Sequence, residues 1–144
     1  MKVVSEPRCE ADDVIASLAL NFPSPHLIVS ADKDFLQLCA VPGVDLYNSR
    51  KGGLLKCESP EQYLIEHIMK GDVGDGIPNI LSDDDCLVDP NKRQRPLRKT
   101  KIEEWSNSVP EKVMDDDTLE RYNRNLQIIS LFKVPQKYTD AIFL

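Results

Sequence analysis

The chain has 144 residues, 41% of them apolar and 29% charged, and a net charge of −6 at neutral pH. This length suits one domain, burying roughly 70% of its unfolded surface, and without a long apolar run the composition excludes a membrane-spanning helix. Met1-Lys2-Val3-Val4 meets Ser5, Glu6 and Pro7 too early for a signal peptide, and Cys9, Cys39, Cys57 and Cys86 lie too far apart for a zinc site or a disulfide frame. A cytoplasmic protein with reduced thiols is the expectation.

In chain order, the first nine residues are too few and too polar for a central strand. Apolar residues at Ala11, Val14, Ile15, Leu18 and Ala19 then recur at the spacing of one buried helix face, from Glu10 to about Leu20. Glu10, Asp12 and Asp13 sit at its start. Pro23 and Pro25 stop it. Leu27-Ile28-Val29, within a strand from His26 to Ser30, has the apolar character of a strand buried on both faces of a parallel sheet, and Asp32 and Asp34 follow its end. Helix start and strand end can therefore face one crevice, where open α/β sheets place their ligands.

Phe35-Leu36-Gln37-Leu38 reads as a helical turn, Val44 to Tyr47 as a half-buried strand, and Lys51-Gly52-Gly53 as a turn returning through Leu54-Leu55. Ser59-Pro60 opens a helix that ends at Lys70-Gly71. A glycine-rich turn from Gly71 to Ile80 carries Asp72 and Asp75. Residues 82–98 are charged and poor in apolar side chains, a mobile surface loop in expectation. Three helices are predicted beyond it: Lys99 to Asn107, Pro110 to Met114, and Asp117 to about Phe132.

Charge is distributed unevenly. Residues 1–91 carry a net −9 and residues 92–144 a net +3, with Lys92, Arg93, Arg95, Arg98, Lys99 and Lys101 packed into ten residues that contain no acid. Any one acid at a helix start or beside a glycine is ordinary. If several converge, each pair about 4 Å apart repels by about 4 kcal/mol at an effective dielectric near 20, and their joint ionisation demands divalent cations. Oxygen-only ligands favour Mg²⁺ or Mn²⁺. An acidic metal site beside a basic strip suits an enzyme acting on a polyanion.

Three segments in this order resemble the successive motifs of the flap endonuclease/5′-3′ exonuclease family: Glu10-Ala-Asp-Asp-Val-Ile-Ala-Ser-Leu-Ala, Val29-Ser-Ala-Asp-Lys-Asp-Phe-Leu-Gln-Leu, and Met69-Lys-Gly-Asp-Val-Gly-Asp-Gly-Ile-Pro. The bacteriophage ribonuclease H branch is the most similar, through Lys99-Thr-Lys-Ile-Glu-Glu-Trp105 and Glu120-Arg-Tyr-Asn-Arg-Asn-Leu-Gln-Ile-Ile129 as well. The resemblance implies an α/β fold, a small and mostly parallel sheet in a PIN-like 5′-nuclease core (residues 1–69), followed by a helix-two-turn-helix-like region with C-terminal helices (residues 70–144). It implies Glu10, Asp12, Asp32, Asp34 and Asp75 as catalytic ligands of two Mg²⁺ ions, with Asp13 and Asp72 in the outer shell. Gly71, Gly74, Gly76 and Ile77 would grip duplex backbone, commonly with a K⁺ ion, alongside the basic strip.

The implied activity is hydrolysis of phosphodiesters at 5′ ends of RNA or DNA, in duplexes and flaps, during RNA primer removal in DNA replication. In a phage-encoded protein the setting is the host cytoplasm. The family's first strand with its Asp, a second upstream Asp and a helical arch belong N-terminal to Met1. The chain is accordingly expected to be a C-terminal fragment or split-gene half, inactive alone and partnered by the missing N-terminal segment, with a free apolar edge on the Leu27–Ser30 strand. The alternative is a non-catalytic nucleic-acid-binding remnant.

Overall fold

The computed structural model describes residues 2–143. In chain order its regular elements are α1 (Ala11–Asn21), β1 (His26–Val29), a 3-10 helix (Asp34–Ala40), β2 (Val44–Asn48), β3 (Gly53–Leu55), α2 (Pro60–Lys70), α3 (Lys99–Ser106), α4 (Pro110–Val113), α5 (Asp116–Ile129), a second 3-10 helix (Leu131–Lys133) and α6 (Gln136–Ile142). The contacts divide them into two compact units. One takes the residues up to Tyr63 and those from Leu131 on, the other Leu64–Ser130.

The first unit is a three-stranded sheet of order β1-β2-β3 with helices against it. β1 and β2 run parallel and β2 and β3 antiparallel, so the sheet is mixed where a mostly parallel one was expected. The return is the Lys51-Gly52-Gly53 turn itself: Asn48 Oδ1 accepts the Arg50 and Lys51 amides at 3.0 and 2.8 Å, fixing the hairpin immediately after β2. Ile28, Val44 and Leu46 face a core with Ala16, Ala19, Phe35 and Leu38. Each fully buried Phe35, Leu38 or Leu46 side chain stabilises by roughly 1.5–3 kcal/mol.

β1 departs from its expectation. Only Ile28 is buried, and Leu27 and Val29 are 59% and 61% exposed, because the core lies on one face of the sheet only.

α1 starts where the acids predict, with the Glu10 amide donating to Asp13 Oδ2 at 3.0 Å in a capping box. Its buried side chains are Val14, Ala16, Ser17 and Ala19, while Ala11 is exposed. The face is rotated from the predicted one because α6 packs on α1, bringing Thr139 Oγ1 to 3.4 Å from Ser17 Oγ. That seven-residue helix is not anticipated by periodicity. It is too short and polar to register.

The second unit is built on α2, α3, α4 and α5. Ile68, Met69, Ile77, Ile80, Ile102, Trp105, Met114, Tyr122 and Ile129 form its core. Buried Asn125 on α5 donates from Nδ2 to the Ile68 and Pro78 carbonyls at 3.0 and 2.9 Å, stitching the end of α2 to the glycine turn. α5 stops at Ile129, short of the expected Phe132, and the second 3-10 helix follows.

Residues 82–98 contain no helix or strand, as expected, yet they are pinned at both ends. The Asn79 amide donates to Gln94 Oε1 at 2.7 Å and Asn79 Nδ2 to the Arg95 carbonyl at 2.9 Å, while the Arg95 amide reaches Ser82 Oγ at 2.8 Å. Lys92 pairs with Asp85 at 2.7 Å, and Asp84 with Arg124 of α5. A loop so tied is an ordered surface.

Candidate metal centre

In the first unit the sequence-predicted acids gather around one side chain, Asp12, in the first turn of α1. Its carboxyl is held above the usual aspartate range. Burial is the main cause, and the charges of Asp32, Asp34, Glu10 and Asp13 follow in that order. Two carboxylates from the end of β1 and two neighbours on α1 thus press negative charge on a half-buried oxygen pair. Among the described residues no cation bonds to Asp12.

Local geometry explains how the chain holds these acids. Asp32 Oδ1 accepts the Asp34 amide at 2.9 Å, and the Asp32 amide donates to Ser30 Oγ at 3.1 Å, so the turn after β1 has a fixed shape. Asp34 is then the first residue of the 3-10 helix, whose Phe35 and Leu38 are anchored in the core. Buried Gln37 of this helix accepts the Leu131 amide at 2.8 Å. The acids are carried by rigid elements.

Glu10 and Asp13 have a second occupation. Glu10 is the N-cap of α1 and Asp13 its capping-box partner. Hard oxygen donors with no thiol or imidazole among the five groups are the chemistry that Mg²⁺ or Mn²⁺ prefers. Among the described residues, no three of these five groups bring ligand atoms within 4.8 Å of one another, so the acids lie near Asp12 without forming a closed cation cage.

Asp72 and Asp75 belong to the second unit, in the turn after α2. Asp72 spends both oxygens there: Oδ1 accepts the Gly74 and Asp75 amides at 2.8 and 3.3 Å, and Oδ2 lies 3.3 Å from His67 Nε2. The backbone of Asp72 pairs with Ile77 in both directions, at 2.9 and 2.7 Å. The Asp75 side chain is exposed. His67 and Asn125 are the residues that sequence reasoning passed over here, since neither stands in an acidic or glycine-rich motif.

The basic strip is thinner than its sequence. Lys92 is neutralised by Asp85, Arg95 lies 3.7 Å from Asp83, and Lys99 lies 3.6 Å from Glu103. Arg93, Arg98 and Lys101 form no ion pair among the described residues. Lys101 instead holds its ammonium 4.5 Å from the centre of the Trp105 ring. Searches of the sequence against protein-family models and against curated proteins return no match.

Proposed function

We propose that this chain is the metal-holding and duplex-gripping part of a Mg²⁺-dependent 5′-nuclease, similar to the bacteriophage ribonuclease H branch of the flap endonucleases and acting in RNA primer removal. The reading includes a PIN-like core in the first unit and a helix-two-turn-helix-like grip in the second. The convergence of four other carboxylates on half-buried Asp12 carries it, because a fold gains nothing from such repulsion unless a cation relieves it. Bound divalent ions supply activation of water and stabilisation of the leaving oxygen. Asp12, Asp32 and Asp34 would hold them, and the Asx turn of Asp32 keeps two of these residues in fixed relation. Asp13 holds the helix start in place through the Glu10 amide.

The capping work of Glu10 and Asp13 favours a second reading, a nucleic-acid-binding remnant whose acids are structural. Titration of Mn²⁺ into the chelator-treated protein separates the two. Saturable binding, lost in Asp32→Asn, supports the metal site; its absence leaves the remnant. Cleavage of a 5′-labelled flap or RNA/DNA duplex in Mg²⁺, assayed with and without a segment bearing the family's first strand, then tests the chemistry.

Duplex binding has its own expected result. With Arg93, Arg98 and Lys101 as the unpaired cations, about three phosphates are neutralised, giving a logarithmic salt slope near −2.7. That corresponds to roughly 40-fold weaker binding when salt is raised fourfold. Replacing all three by Gln should flatten the slope. A parent slope that survives the triple substitution moves the interface elsewhere.

A further inference from the structure

Two arginines of α5 meet the acidic start of the 82–98 loop. Arg121 and Arg124 are three residues apart and so share one side of the helix. Arg121 Nη2 lies 3.7 Å from Asp83 Oδ1, and Arg124 Nη1 donates to Asp84 Oδ1. Arg95 reaches the same Asp83 oxygen from within the loop, also at 3.7 Å. Three guanidiniums from two separate parts of the chain thus gather on two adjacent carboxylates. Arg124 is steadied further by donating to Asn125 Oδ1 at 3.3 Å, and buried Asn125 is itself fixed on the Ile68 and Pro78 carbonyls.

The fold has little need of these contacts. Neutral hydrogen bonds among Asn79, Ser82, Gln94 and Arg95 already pin the loop, and exposed ion pairs add little to stability. Both acids are open to water, with the Asp83 and Asp84 side chains 47% and 71% exposed. A guanidinium binds carboxylate and phosphate oxygens through the same planar set of N–H donors. Two neighbouring carboxylates on a group of arginines therefore stand where successive phosphates of a strand could.

We propose that Arg95, Arg121 and Arg124 form a further nucleic-acid backbone surface of this unit, and that Asp83 and Asp84 occupy it as an internal substitute for phosphate. The inference rests on the duplex-gripping reading for the identity of the polyanion and adds a restraint on that grip. A guanidinium already balanced by a carboxylate releases no counterion when a phosphate approaches, so it contributes nothing to the salt-dependent part of binding. The two acids thus hold down the affinity of the unit for a phosphate backbone.

Salt-dependent binding of a labelled DNA duplex tests this. Asp83→Asn/Asp84→Asn frees three cations, and the logarithmic slope should steepen from near −2.7 to about −5.4. A fourfold rise in salt then weakens binding roughly 1,800-fold where the parent loses roughly 40-fold. Asp116→Asn/Asp117→Asn removes the same charge from exposed acids of α5 that form no ion pair among the described residues, and should leave the slope near that of the parent. Adding Arg121→Gln and Arg124→Gln to the first variant should return the slope to about −3.6, with four cations left. Trp105 fluorescence in urea checks that each variant is folded. Equal slopes for the two aspartate variants, or a steepened slope that the arginine substitutions do not reduce, overturns the restraint and leaves the grip of Arg93, Arg98 and Lys101 standing. Failure of Asp83→Asn/Asp84→Asn to fold makes the acids structural and overturns it as well. Binding by that variant but not by the parent supports the restraint and removes the grip, and binding by neither overturns both.

Discussion

Gly71→Ala should unfold the second unit or lower its stability by roughly 3–4 kcal/mol, among the larger effects a single substitution produces. Gly71 follows the last residue of α2 with φ 67° and donates its amide to the His67 carbonyl at 2.9 Å. A Cβ there runs into the backbone carbonyl oxygens of Ile77 and Pro78. The left-handed conformation alone costs a non-glycine residue about 1–2 kcal/mol. The clash adds to it, because relief requires the Asp72–Ile77 bridge to open and draws Ile77 and Ile80 out of the core. Gly76 is the control, with φ 75° and nothing near its would-be Cβ, so Gly76→Ala should cost only about 1–2 kcal/mol. Trp105, buried in the same core, reports both by fluorescence during urea unfolding. Equal midpoints for the two variants would remove the close-approach argument. If the ordering holds, loss of duplex binding in Gly71→Ala is a loss of folding, and only Gly76 can reveal a backbone contact.

The parts of this fold legible in the sequence are those whose determinants are local. α1 and α2 announce themselves through a first-turn acid or a Ser-Pro start and an apolar face, and the β2–β3 hairpin through Lys51-Gly52-Gly53. What escaped depends on residues distant in the chain. α6 has little helical signal and is held where Thr139 meets Ser17. The stop of α5 before Leu131 coincides with Gln37 taking the Leu131 amide. Burial of β1 on one face, not two, depends on what covers the sheet, which a run of three apolar residues does not encode.

The site divides in the same way. Glu10 to Asp34 could be read as a cluster because the motifs fall within a single helix-strand unit. The thinning of the basic strip could not, because Asp83, Asp84 and Asp85 sit in a separate acidic run and find Arg95, Arg124 and Lys92 only in the fold. Asp83 also lies 3.7 Å from Arg121 of α5. The loop's two opposite charge runs largely serve each other and α5, leaving Arg93 and Arg98 of the loop and Lys101 of α3 without an ion pair among the described residues.

Asp12→Asn should raise the melting temperature of the metal-free protein at neutral pH and lower it relative to the parent once Mg²⁺ is present. Burial, then the charges of Asp32, Asp34, Glu10 and Asp13, raise the Asp12 carboxyl in the folded state, so the folded chain binds that proton more tightly than the unfolded chain does. Stability from this group is therefore greatest below the ordinary aspartate range and falls as pH rises toward the raised folded value, above which the penalty is complete. Asparagine removes both the penalty and its pH dependence. A divalent ion inverts the balance, since the repelling charges become its ligands. At an ion concentration about 100 times its dissociation constant the parent gains about 2.7 kcal/mol, or roughly 5–10 °C for a domain of this size. The Asp12→Asn protein should gain little. Melting curves of both proteins in chelator and in Mg²⁺ give four temperatures, and the predicted crossing of their order is specific to a metal site. A purely capping role for the α1 acids predicts no crossing, with the same shift in Mg²⁺ for both proteins.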